Sequence, residues 1–298
     1  VNWDNGVPVA NDIVIFPNNT SATITRVAQG GNIALASLSI LGNSNVRLVN
    51  TVGRTLTVSN GVAGDDFIID AGAQLSIGNN INLTLGSGTA GNSTGAAING
   101  TLIIENTRTF DSDNANVLTN VAGFIQNSGI VTGTATRLIF AAGATYIHAR
   151  NSGAIPTATW APTSIMSVEG IINSGPTGLG QQFGNFNWNS PLQALNFSFA
   201  GALTTVNGDF TLASTGSGSI ILKNSGGTTV TNIAGDYNQS GGRLSIVGAS
   251  DNHNLNIKGD FNMTGGTLTR GGTGNANVMF NGTTEQAFNK TGGTISNA

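Results

Sequence analysis

The strongest constraint on this chain is a phrase that returns with a period in the mid-twenties. Gly208-Asp209-Phe210, Gly235-Asp236-Tyr237 and Gly259-Asp260-Phe261 stand 27 and 24 residues apart. The second and third phrases lead into Ser240-Gly241-Gly242-Arg243-Leu244 and Thr264-Gly265-Gly266-Thr267-Leu268, and Thr291-Gly292-Gly293-Thr294-Ile295 repeats that ending. Such a period is about one coil of three short strands with their corners.

Upstream of the repeats the texture is the same. Short alternating apolar segments recur, among them Ala36-Ser37-Leu38-Ser39-Ile40, Arg54-Thr55-Leu56-Thr57-Val58 and Ile81-Asn82-Leu83-Thr84-Leu85. Each is closed by a turn containing Gly or Asn, and Gly, Asn, Thr and Ser interrupt every window long enough for three helical turns. One such segment cannot bury its apolar side alone, so it must stack on the next. The expected fold is all-β: a right-handed parallel β-helix, or β-solenoid, elongated, forming a single domain over residues 1–298. Within each repeat the glycine reads as the sharp corner (Gly208, Gly235, Gly259). The aspartate reads as a cap on neighbouring backbone N–H groups (Asp209, Asp236, Asp260), and the aromatic as an inward stack member (Phe210, Tyr237, Phe261).

Charge supports the same architecture. The chain has 11 basic and 14 acidic side chains, 8% charged residues, where a typical soluble domain has about a quarter. In stacked parallel coils an outward charge would repeat about every 4.8 Å, whereas Thr, Ser and Asn ladders carry no such repulsion. A net charge of −3 leaves no basic stripe for nucleic acid, and no polybasic amphipathic segment suits an anionic membrane. No apolar run approaches the ~20 residues of a membrane-spanning helix. With 39% hydrophobic residues the chain should fold, and with no cysteine it does so without disulfides.

From about residue 145 to 191 the texture changes. This interval holds Pro156, Pro162, Pro176 and Pro191, and Trp160 and Trp188. It is expected as an excursion from one or two coils, or a wider coil, within the domain. Tyr146, Trp160 and Trp188 are its candidate glycan or protein contacts, since exposed aromatic rings serve carbohydrate binders as platforms; core packing is the competing reading.

Catalytic constellations do not emerge. His148 and His253 lie far apart and form no evident triad or ligand cluster, and no nucleophile elbow, His-Glu-x-x-His or phosphate loop occurs. Acids group at Asp65, Asp66 and Asp70, of which Asp65-Asp66, after Gly64 and before the apolar Phe67-Ile68-Ile69, reads as a natural corner. Asp111-Ser112-Asp113-Asn114 could offer oxygens to calcium, against the plainer reading of an Asx turn. No cofactor is expected, and the evenly placed Asp209, Asp236 and Asp260 read as structural rather than as a catalytic row.

The opening Trp3 with Gly6-Val7-Pro8-Val9-Ala10-Asn11-Asp12-Ile13, the phrases Tyr146-Ile147-His148 and Phe183-Gly184-Asn185-Phe186-Asn187-Trp188, and the Gly-Asp-Phe repeats together resemble the large repetitive secreted proteins of Bacteroidota. That resemblance covers most of the chain as texture. It implies export, commonly by the type IX route, a place outside the cell or on its surface, and no catalytic residues. The expectation is a fragment of a longer exported protein: a non-enzymatic stalk, surface-layer or adhesin component. Its partners would be a surface polysaccharide, a protein, or adjoining domains of the same precursor. The alternatives are a carbohydrate-binding or polysaccharide-degrading β-helix, and a trimeric phage or toxin-delivery fibre.

Overall fold

A computed structural model describes residues 8–25 and 30–297; the opening phrase around Trp3 and Gly6 lies outside them. Among the described residues there is no helix, and every strand-to-strand pairing is parallel. The chain is a parallel β-solenoid. It divides into two compact units, Val1–Ile147 with Pro156–Thr159, and His148–Ile155 with Trp160–Ala298.

In the first unit the chain visits three parallel ladders in turn. One contains Ile13–Phe16, Ser37–Ile40, Gly64–Ile69, Thr94–Ile98, Val117–Val121 and Leu138–Phe140. The second runs from Ser21–Ile24 through Asn45–Leu48, Gln74–Ile77 and Thr101–Ile104 to Phe124–Asn127. The third comprises Ile33–Leu35, Arg54–Val58, Ile81–Leu85, Thr109–Asp111 and Ile130–Thr132. Strand alternation sends every second side chain inward, and parallel register puts like on like. Val46, Leu75, Leu102 and Ile125 are consecutive partners in one column, and each is fully buried. Burying each such side chain stabilises by about 1.5–3 kcal/mol, which is how strands of three to six residues hold without helices or disulfides.

The second unit repeats the scheme. Its central ladder is Ile165–Val168, Asn185–Asn189, Phe210–Ser214, Tyr237–Gln239, Phe261–Met263 and Phe288–Lys290. On one side lie Gln182–Phe183, Thr205–Val206, Thr228–Ile233, Asn252–Ile257 and Ala276–Phe280; on the other, Phe197–Ser198, Ile220–Lys223, Arg243–Val247, Thr267–Gly271 and Thr294–Ser296. The repeat aromatics are inward and in register. Phe186, Phe210, Tyr237, Phe261 and Phe288 form a continuous stack with successive ring centroids 5.6, 5.6, 5.0 and 4.8 Å apart and interplanar angles of 10° or less.

The aspartates are caps, and the caps form a chain. Asn185 Oδ1 accepts the backbone N–H of Asp209 (2.8 Å), Asp209 Oδ1 that of Asp236 (2.8 Å), Asp236 Oδ1 that of Asp260 (2.7 Å), and Asp260 Oδ1 that of Ala287 (2.8 Å). Each coil thus satisfies a corner donor of the next one.

Gly208, Gly235 and Gly259 lie at bends between successive strands, but none of them has a left-handed φ. A Cβ on each would collide with the capping oxygen of the preceding coil, Asn185, Asp209 and Asp236 respectively. Close approach of the cap and of neighbouring backbone, the Gly208 carbonyl against Gly235 and the Gly235 carbonyl against Gly259, requires glycine here, not a left-handed φ. Left-handed corners belong to the second glycine of the other motif: Gly242, Gly266 and Gly293 have φ of +62°, +74° and +68°.

In the proline- and tryptophan-containing interval it is the connections that depart from the pattern, not the strands. Ile165–Val168 pairs in register with Asn185–Asn189. The strand-poor connections bond one another: Ser152 N–H donates to Ser174 O, and Thr177 N–H to Gly153 O. Asn151 Oδ1 accepts the N–H groups of Ile172, Asn173 and Ser174, each at 3.0 Å.

Candidate functional site

The three aromatics expected as contacts do not form an exposed platform. Tyr146, Trp160 and Trp188 are 0%, 5% and 0% exposed. Trp160 packs on Phe183 at 5.4 Å and donates its indole N–H to Gln181 Oε1 at 3.1 Å. Trp188 donates to Gln193 Oε1 at 2.9 Å, and the Gln193 amide donates onward to the carbonyls of Leu195 and Ser219. Tyr146 lies edge-on to Phe140 and accepts a bond from Asn127 at 2.8 Å. A large ring on an inward position satisfies its polar atom within the coil, so its amphipathic character is consumed by packing.

Asp111 and Asp113 do not converge on a cation position. Asp111 Oδ1 accepts the Asp113 N–H at 3.1 Å and the Thr132 hydroxyl, its other oxygen accepts from Asn114, and Asp113 pairs with Arg137 at 3.0 Å. This is an Asx turn whose oxygens already have donors. Among the described residues no group of three or more His, Cys, Asp or Glu side chains is placed to hold a metal ion.

Both histidines are fully buried. His148 Nε2 bonds the Ser152 carbonyl at 2.8 Å and its Nδ1 has no partner. Burial lowers this imidazole to about 4, the Ser152 carbonyl opposing and Arg150 adding to the fall. His253 Nδ1 pairs with the Thr229 hydroxyl at 2.8 Å, its Nε2 has no partner, and burial with nearby Lys223 lowers it to about 4. Neutral, separated imidazoles of this kind are core residues.

Neutral amide side chains bond coil to coil on the outside of the second unit. Asn238, Asn262 and Asn289 form an amide ladder with bonds of 3.0 and 2.9 Å, and Asn232–Asn256 and Asn254–Asn277 continue the pattern on the adjacent face at 2.9 Å each. An open groove in the first unit is lined by Ser21, Thr23, Asn45, Arg47, Gln74 and Ser76. Arg47 leaves this groove to pair with Glu105 two coils on, and small Ser76 and Gly78 leave room for its crossing. Another groove in the second unit includes Asn196, Ser219, Arg243 and Ser245.

One corner was not legible as a site. Paired with Thr94–Ile98, the strand Gly64–Ile69 shifts register between its partners Asp65 and Phe67, leaving Asp66 as the extra residue of a β-bulge. Asp66 is 1% exposed, receives one long bond from the Asn60 N–H (3.3 Å) on Oδ2, and has no partner on Oδ1. Burial raises this carboxyl, the Asn60 backbone and side-chain groups oppose the rise, and neighbouring Asp65 adds to it. Ser59, next to Asn60 in the chain, and Thr94, the register partner of Gly64, meet through their hydroxyls at 3.0 Å. In the sequence, Gly64-Asp65-Asp66-Phe67 looked like any corner; the second acidic residue ahead of the apolar run was the available signal.

No protein-family model, curated protein or solved structure matches this chain.

Proposed function

We propose that this chain is a non-enzymatic structural or adhesin-like component of the extracellular space or the bacterial cell surface: a stalk, surface-layer or adhesion segment. The observation carrying this reading is the running bond from Asn185 through Asp209, Asp236 and Asp260 to Ala287, which commits the repeated carboxylates to coil stacking. The buried Trp and Tyr rings and the neutral amide ladders outside support it as well. Stability is then distributed among neighbouring coils, as suits a mechanical spacer. The likeness in texture to exported repetitive proteins of Bacteroidota, with their type IX route, belongs to the same proposal.

Carbohydrate contact is the second reading. The hydroxyl- and amide-lined outer grooves favour it over Tyr146, Trp160 and Trp188, which are enclosed. Protease shaving and antibody labelling of intact producing cells test location, and glycan arrays with turnover assays on purified protein test chemistry. Labelling of intact cells with silent turnover assays is the expected result. Confinement to the cytosol, or hydrolysis of a polysaccharide, sinks the leading reading.

A further inference from the structure

The bulge at Asp66 has the makings of a ligand site that the Asx turn at Asp111 lacks. A carboxylate taken out of water with donors from Asn60 alone and a bare second oxygen is costly. Its surroundings make the deficit worse, because the adjacent group is a second carboxylate, Asp65, which is exposed at the mouth of the corner. No basic side chain among the described residues forms an ion pair with either of them. Apart from the Asn60 amide groups, the polar atoms at this corner are neutral oxygens: the Ser59 and Thr94 hydroxyls, and the backbone carbonyl of Gly64, against which Gly95 is pressed so closely that a Cβ there would collide.

Two carboxylates, hydroxyls and a backbone carbonyl, without imidazole or thiolate, are the donor set of a hard divalent cation. Calcium fits better than magnesium. It accepts six to eight oxygens in irregular geometry, which a bulge and a turn can supply, and it sheds water readily. We infer that the β-bulge at Asp66 is a calcium site, with Asp66 Oδ1 as the buried ligand, Asp65 as the ligand from the solvent side, and the Ser59 and Thr94 hydroxyls completing the protein share of the shell. The ion would tie the corner after Arg54–Val58 to the strand Thr94–Ile98, joining successive coils through charge where the second unit uses Asp caps.

The test is calorimetric titration of calcium chloride into chelator-treated full-length protein, with magnesium chloride as control, alongside thermal melts. Wild type is expected to bind one calcium per chain and to melt about 5 °C higher at saturation. Asp66→Asn should lose both effects. Asp65→Asn, at an exposed position that does not threaten folding, should weaken binding at least tenfold. Asp113→Asn should bind like wild type. Absence of a calcium-specific response in wild type overturns the inference, as does a response that survives Asp66→Asn or one that disappears with Asp113→Asn.

Discussion

Tyr237 tests the aromatic column and its polar attachment separately. The ring lies between Phe210 at 5.6 Å and Phe261 at 5.0 Å, nearly parallel to both, and is fully buried. Its hydroxyl donates to Gln239 Oε1 at 2.6 Å, and the Gln239 amide donates to the carbonyls of Gly241, Gly242 and Thr267. Tyr237→Ala removes the ring from a site walled on both sides by rings that cannot collapse into the gap. The transfer and cavity cost is about 3–5 kcal/mol, with roughly 1–2 kcal/mol more for the lost stacking. Tyr237→Phe keeps the ring and the stack and strands only Gln239 Oε1, at a cost of about 1–2 kcal/mol. Urea denaturation gives the two values, and amide exchange locates the damage. Because coils contact mainly their neighbours, lost protection should centre on the strands around Phe210, Tyr237 and Phe261 and leave the first unit's strands unchanged. Equal costs for the two variants, or a cost below about 1 kcal/mol for the alanine, would refute a column in which packing dominates.

Three further perturbations probe the caps, the ladders and the buried imidazoles. Gly235→Ala should destabilise by about 2 kcal/mol because its Cβ meets Asp209 Oδ1 and the Gly208 backbone, and Asp209→Ala should relieve the side-chain part of that cost; additive effects in a double-mutant cycle would exclude the Asp209 contact as a contributor. Met279→Asn should stabilise by about 0.5–1 kcal/mol, because Met279 is in register with Asn256, whose Oδ1 has no donor; an unchanged urea midpoint would show that the ladder adds nothing there. For His148 and His253, lowered to about 4 from the ordinary 6.5, the native state favours the neutral form. Their contribution is complete above pH 6.5 and is lost as pH falls towards 4, by about 2 kcal/mol each after allowing for partial solvation. Melts from pH 7.5 to 4 should therefore fall less steeply in His148→Asn than in wild type, and parallel curves would contradict the assignment.

Much of this was legible because parallel stacking turns sequence periodicity directly into contact. The spacing of Phe210, Tyr237 and Phe261 announces a column, and the neighbouring aspartates announce caps, since each equivalent residue lands on its counterpart one coil away. The corner positions of Gly208, Gly235 and Gly259 were legible but the reason for glycine was not, because sequence shows a glycine without showing whether φ or close approach demands it. Trp160 and Trp188 were ambiguous for a related reason. A tryptophan flanked by prolines can face either way, and only the reach of Gln181 and Gln193 to their indole nitrogens places both inside.

By itself, then, the amino-acid sequence determined the class of fold, the inward register of the repeats and the use of uncharged side chains on the outside. These follow from strand alternation and from the repulsion that stacked charges would suffer. Tertiary structure alone decided which acids are spent and which are not. Asp111 and Asp66 are both acidic residues near corners, but Asp113, Asn114 and Thr132 supply Asp111 with donors on both oxygens, while a one-residue slip against the next coil takes Asp66 out of water with donors from Asn60 alone and one oxygen bare. That slip depends on pairing between residues some thirty positions apart, which no local pattern reveals.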